Sequence, residues 1–332
     1  TLFRSPVFEM IARNKKIIII GTLPPPIGGV SIYNKRLYDF LNFAEDIDAE
    51  FIDYKRSSIF KIISSVVSHE ITYLNCSSSA FKFLLATIAA LFNKKFLFAF
   101  HGNLERHSGM ANLLDIFILR ISSLSIVLNK KSFEYASRYT TNVFLGTSFI
   151  PPLSKETLPP EIQSLVQNCR KQYKVLCSSN AHNASFDKDG NEIYQVTFLT
   201  EIFRQLNDCC IILSDPSGMY SSYLEQRRIS LPPNVFIIKV THSYYELLKE
   251  IDIMLRITTT DGDSISVREA LYLNKTVIAS DVVDRPAGVI TVPVHSQEVL
   301  SAIREVIAGA RAPQTAPIEN GGDQILKILR SL

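Results

Sequence analysis

Two carboxylates eight positions apart, Asp261 and Glu269, flank a run of small residues in TTTDGDSISVREAL, which lies between the strand-like segments IDIMLRI (251–257) and TVIAS (276–280). Gly262 permits a tight loop, Ser264 or Ser266 can cap a helix running to Leu273, and Asn274 can end it. Backbone N–H groups and the positive end of the dipole converge at the head of such a helix, which suits a phosphate or diphosphate. From the loop, Asp261 can reach a group beyond that phosphate, while Glu269, about a turn inside the helix, can reach back toward a ribose. The same residues also fit a capping box, with Ser266 as the cap, Glu269 bonding back to it and Asp261 a plain loop acid. Both readings are open at this point.

The elements that must hold these groups alternate strand with helix. KIIIIG (16–21) is a continuous apolar run of the kind buried on both faces of a parallel sheet. It leads through three prolines to Gly28-Gly29 and a helix for which Ser31 is the expected cap. Glycines in that turn either let backbone approach a ligand or merely shape the turn; the pattern is neither GxGxxG nor a Walker loop. Phe96 to Phe100 reads as a strand, so His101 and Gly102 stand at its carboxyl end, where open α/β sheets hold their ligands. An imidazole there can hydrogen-bond a sugar hydroxyl or serve the structure alone. Asn103 and Arg106 follow in a polar loop that can bear on an acceptor. FKFLLATIAALF (81–92) predicts a buried helix, and Asp284 with Arg285 predicts a surface turn. The Asp187, Asp189 and Gly190 cluster lacks the rest of a calcium loop and also predicts a turn.

With 332 residues the chain has room for two domains. Pro151, Pro152, Pro159 and Pro160 mark a stiff linker, which divides it into residues 1–150 and 151–315. A hydrophobic share of 46% with 20% charged residues describes an ordinary globular protein, and a formal charge of +3 is too small to argue for nucleic acid. That charge does not oppose a weak encounter with an anionic membrane. Five scattered cysteines without CxxC or Cys/His spacing fit reduced thiols in a cytoplasmic protein and no metal site. No apolar run spans a bilayer, and the first residues lack the pattern of a secretory signal. The opening threonine reads as the start of a fragment or of a chain that has lost its first residues.

Taken in order, Gly28-Gly29, His101-Gly102, the proline linker and Asp261-x7-Glu269 resemble the retaining glycosyltransferases of the GT-B fold, most of all family 4. The resemblance spans nearly the whole chain, with Asp261 where Glu is usual. It implies an α/β fold of two Rossmann-like doubly wound domains facing across a cleft, with the last helix (322–332) packing back on the first domain. The implied activity is metal-independent, cofactor-free, retaining transfer of a sugar, hexosyl in type, from a nucleotide diphosphate sugar to an acceptor hydroxyl. The acceptor would be a glycan or lipid-linked glycan of a bacterial surface polysaccharide such as capsule or O-antigen, met at the cytoplasmic face of the membrane.

By that resemblance Gly28 and Gly29 approach the donor phosphates, His101 contacts the transferring sugar, and Asp261 orients its hydroxyls. Glu269 binds the ribose, Ser264, Ile265 and Ser266 hold the donor at the helix start, and the base lies near Val240 and Thr241. One feature of the family is missing. Its Arg-Lys pair that neutralises the diphosphate is replaced by NAHNASFDKDGNEIYQ (180–195), which leaves Lys188, Arg256, Arg268 or the helix N-termini to do so. Asp261-Gly262-Asp263 is read as a chance match to a metal-binding DxD. A sugar-nucleotide epimerase of the same plan and a non-catalytic nucleotide-sugar-binding subunit are the alternatives.

Overall fold

Four consecutive isoleucines, Ile17 to Ile20, are fully buried in β1 (Lys15–Gly21), because a β-branched run fills both faces of the pleat and helices cover both sides. The computed structural model describes residues 15–25, 28–76, 78–102, 104, 109–181, 183–311 and 317–332. From β1 the chain runs through α1 (Gly29–Leu41), β2 (Ile47–Asp53), α2 (Ile59–Ser68), β3 (Ile71–Leu74) and α3 (Ser79–Leu91). It continues through β4 (Lys95–Phe100), α4 (Met110–Ile121), β5 (Leu124–Val127), α5 (Lys130–Ala136) and β6 (Val143–Leu145). These strands form one parallel sheet in the order β2-β1-β3-β4-β5-β6.

The second lobe repeats the plan. It comprises α6 (Pro160–Gln172), β7 (Val175–Asn180), α7 (Val196–Phe203), β8 (Cys209–Ser214), α8 (Met219–Gln226) and β9 (Val235–Ile238). Then come α9 (Tyr244–Glu250), β10 (Ile253–Arg256), α10 (Ile265–Tyr272), β11 (Thr276–Ser280), β12 (Ile290–Val292) and α11 (Ser296–Ile307). Its parallel sheet has the order β12-β11-β10-β7-β8-β9. The fold is therefore α/β with two doubly wound sheets, as the family resemblance implies. In each sheet the direction of winding reverses beside the first strand, at β1/β3 and at β7/β10. Crevices open at the carboxyl ends of such strand pairs, because their outgoing loops diverge.

The final helix, α12 (Gly321–Ser331), lies on the first lobe, where Ile325 and Leu329 join the core beneath α1. Lys15 Nζ donates to the Leu329 carbonyl at 2.8 Å, and Arg330 pairs with Asp46 at 2.7 Å. Two local expectations fail. Helix α3 buries Leu85, Ala86 and Ala89 but leaves Leu91 77% exposed and the following Phe92 54% exposed, because a helix lying on a sheet covers one stripe only. Ser31 is not the cap of α1: the helix starts earlier, at Gly29 with Gly28 in the cap position, and Ser31 Oγ exchanges 3.0 Å bonds with the Gly28 N–H and carbonyl. The five cysteines are buried and free, and among the described residues no helix is long and apolar enough to cross a membrane.

Candidate functional site

Between the lobes lies a cleft of about 600 Å³, walled by the carboxyl ends of both sheets. The heads of α1 and α10 both open onto it, since Gly28 and Gly29 line it from one lobe and Ser264, Ile265 and Ser266 from the other. The lobes nearly touch here. A Cβ built on Gly29 would stand 3.8 Å from Ile265 Cδ1, and one on Gly262 would stand 3.3 Å from the His101 carbonyl oxygen. Neither helix head carries a side-chain cap: Gly28 has no side chain, and Ser264 makes no cap bond. Two uncapped N-termini facing one gap form an electropositive seat for an anion.

The capping-box reading of Ser266 and Glu269 fails. Ser266 is inside α10 and its hydroxyl donates to Asn180 Oδ1 at 3.0 Å. Glu269, with a buried side chain, instead meets Arg36 of α1 across the cleft, Nη2 to Oε1 at 2.5 Å. The Arg36 guanidinium also lies over the Tyr245 ring, 5.7 Å from its centroid. Burial raises the Glu269 carboxyl above its ordinary value more than Arg36 lowers it.

Asp261 lines the cleft, yet its lone pairs are taken. Arg256 grips it bidentately at 3.0 and 2.9 Å, Arg285 donates at 2.7 Å, and the Gly262 N–H donates at 3.0 Å. A carboxylate offers about four lone-pair positions, so no acceptor position is left for a sugar hydroxyl in this arrangement. In this arrangement Asp261 is a buried counter-ion to two arginines. Burial pushes the Asp261 carboxyl up, but the two guanidiniums outweigh it and hold it at about 2. Two guanidiniums sharing one carboxylate leave an excess positive charge at the floor of the cleft.

Arg256 ends β10 and Asn180 ends β7, which are the pair at the winding reversal. Arg256 Nη1 donates to Asn180 O and Oδ1 at 3.2 and 3.3 Å, and its guanidinium lies 5.1 Å from the Tyr194 centroid. Of the expected cations, then, Arg256 reaches the cleft and Lys188 does not. Lys188 is exposed, in a turn shaped by bonds from Asp189 N and Asn191 N to Asp187 Oδ1, and is not among the residues that line the cleft. Arg268 is spent on Asp263 at 2.6 Å, and Asp263 in turn accepts from the Ser148 N–H of the first lobe at 2.8 Å. Both acids of the Asp261-Gly262-Asp263 triplet are thus paired with arginines.

His101 directly follows β4 and lines the cleft. Its tautomer follows from a chain of bonds anchored on a carbonyl: Asn34 Nδ2 donates to Thr22 O at 3.0 Å, so Asn34 Oδ1 accepts from Asn75 Nδ2 at 2.7 Å. Asn75 Nδ2 also donates to His101 Nε2 at 2.8 Å, which places the proton of the neutral ring on Nδ1. Burial pushes this imidazole down to about 4. A histidine depressed below its ordinary 6.5 contributes stability that is complete above that pH and lost as pH falls toward 4. Activity against pH should therefore show no inflection between 6 and 7 from His101, while melting temperature declines below about pH 6.5. A protonation step near 6.5 assigned to His101 by NMR would contradict this.

Gly21 makes the relay possible. A Cβ there would stand 2.5 Å from Asn34 Nδ2, an amide fully buried and fixed by its bonds. Gly21→Ala is expected to cost about 1–3 kcal/mol through overpacking and to disturb the His101 support, read as a lower urea midpoint with reduced turnover. An unchanged midpoint would refute it.

Val240 is exposed, but Thr241 and His242 reach the cleft. His242 Nδ1 donates to the Val240 carbonyl at 2.8 Å, so Nε2 accepts from Ser214 Oγ at 3.1 Å. Asn103 and Arg106 lie outside the described residues. Residues missed in the sequence are Arg36, Asn34, Asn75, Asn180 and Arg285, the last set aside as a surface group although its side chain is buried. Asn75 and Asn180 carried a signal, their places at strand ends.

The fold and the cleft define a GT-B-type two-lobed α/β protein. No family model and no curated protein matches the chain. Solved structures do. The Anabaena protein Alr3699/HepE, in complex with UDP and glucose, is 16% identical at a TM-score of 0.71, over 96% of this chain and 100% of that one. Sucrose-phosphate synthase from Thermosynechococcus elongatus is 13% identical at 0.65, over 96% and 99%. UDP-GlcNAc 2-epimerase from Neisseria meningitidis, bound to UDP-GlcNAc, is 13% identical at 0.58, over 96% and 100%. At these identities the likeness establishes the fold.

Proposed function

We propose that the chain is a retaining glycosyltransferase that moves a sugar from a nucleotide diphosphate sugar to an acceptor hydroxyl of a glycan. The observation that carries this is the pair of uncapped helix heads facing each other, with Glu269 one turn into α10. The diphosphate lies between those heads, above the excess charge of Arg256 and Arg285. The ribose hydroxyls take Glu269 from Arg36. His101 donates through Nδ1–H to the transferring sugar. Fixed dipoles and guanidiniums stabilise the departing diphosphate as the C1–O bond breaks, without a metal or cofactor. The electron pair stays on the phosphate oxygen, the acceptor oxygen bonds to C1, and its proton passes to the departing oxygen. Retention follows when the acceptor enters on the face the diphosphate leaves.

The acceptor belongs to a surface polysaccharide carried on a lipid. Support for a membrane contact comes from the first lobe, where Phe60, Leu91, Met110 and Leu113 of α2, α3 and α4 are exposed. Sedimentation with anionic vesicles tests that contact.

The epimerase likeness gives the second reading, in which a nucleotide sugar is converted with no acceptor. A thermal-shift screen of nucleoside diphosphates comes first: UDP at 100 times its Kd should add about 2.7 kcal/mol. Incubation of UDP-glucose and UDP-GlcNAc alone, followed by NMR of the sugar, then separates the two. Epimerised sugar without acceptor refutes the transferase, and no stabilisation by any nucleoside diphosphate refutes both.

A further inference from the structure

A second cavity of about 380 Å³ opens at the carboxyl ends of β2, β3 and β4, between α3 and α4. It shares a wall with the cleft, since His101 and Val30 line both. Its floor holds an ion pair, Lys82 of α3 with Asp115 of α4 at 3.5 Å, each side chain at most 6% exposed. The ammonium lies 4.4 and 4.8 Å from the centroids of the Phe98 and Phe100 rings. Asp115 Oδ1 is buried and receives no hydrogen bond.

A core built for stability alone would gain by replacing such a pair with apolar side chains, and an acceptor oxygen left without a donor adds a further cost. Both costs vanish when a ligand supplies hydroxyl groups. A hydroxyl donates to Asp115 and accepts from Lys82, so a polyol satisfies the pair while an anion would meet the carboxylate. The rest of the wall suits the C–H faces of a ring: Tyr54, Phe98, Phe100 and Leu104 are apolar or aromatic. The volume lies at the small end of the roughly 300–1,000 Å³ range of small-molecule sites, enough for one or two sugar rings.

We propose that this cavity binds the terminal neutral pyranose of the acceptor, held by hydroxyl bonds to Asp115 and Lys82, with His101 as the partition between acceptor and donor. The class of acceptor rests on the transferase reading; the cavity as a pyranose site does not. Saturation-transfer NMR with methyl glucopyranosides, mannopyranosides and galactopyranosides, together with glucuronate, measures it on the full chain. At least one neutral glycoside should bind, and the double variant Lys82→Met with Asp115→Asn should weaken it about 10- to 100-fold. That variant removes both charges together, and an unchanged circular-dichroism spectrum with a cooperative melt certifies its fold. Equal binding in wild type and double variant, binding of glucuronate alone, or no neutral glycoside bound overturns the proposal. Glycoside binding that depends on the pair, without transfer from any donor, leaves the site standing and removes the transferase reading.

Discussion

Asp261→Ala is expected to lower the unfolding temperature by roughly 10 °C, from a loss of about 3–5 kcal/mol. Arg256 and Arg285, both with nearly buried side chains, would be left with no carboxylate between them. The loss should shrink when Arg285→Met is added, since one uncompensated cation goes with it. The pH course has a defined sign. With its carboxyl held at about 2, below the ordinary 3.8, Asp261 contributes about 2 kcal/mol that is full above 3.8 and lost as pH falls toward 2. Had Asp261 the role its position in the motif suggests, the Ala variant would melt like wild type and only turnover would drop. Calorimetry and turnover measured on the same sample decide between the two.

Glu269→Ala is expected to weaken UDP binding about 10- to 100-fold, the worth of hydrogen bonds between a carboxylate and ribose hydroxyls. Arg36→Ala should behave differently. In the free protein Arg36 occupies Glu269 Oε1, so the ribose must displace it, and removing Arg36 removes that competition. UDP affinity in Arg36→Ala should equal or exceed wild type in mild alkali and fall as pH is lowered. The reason is that burial already raises the Glu269 carboxyl, and the opposing pull of Arg36 is gone. Titration calorimetry at two pH values reads both effects. Equal losses in the two variants would mean that the bridge itself, and not the carboxylate, serves the ligand.

Much of the scaffold was legible because its signals are local. The isoleucine run of β1 has a period no half-exposed strand shows, and a polar loop between two apolar strands, followed by capping residues, has few outcomes other than a helix. The placing of His101 on the cleft followed from its position after a strand end, and that of the α10 head from the polar loop before it. Lys188 failed because charge alone was read, and charge does not say which way a turn faces. Arg285 failed in the opposite sense, a cation beside a proline taken as surface when Asp261, 24 residues earlier, buries it. The expectation of a buried α3 weighed hydrophobicity without asking which stripe the sheet could reach.

The sequence by itself determined the α/β alternation, the two-sheet plan and the loops that end at the cleft, since each depends on periods of two to four residues and on single glycines and prolines. Only the tertiary structure decided the partners: Arg36 with Glu269, two arginines on Asp261, and Lys82 with Asp115 over an aromatic floor. A buried charge must find its counter-ion wherever the packed chain brings one close, and that distance through space leaves no mark on the spacing along the chain.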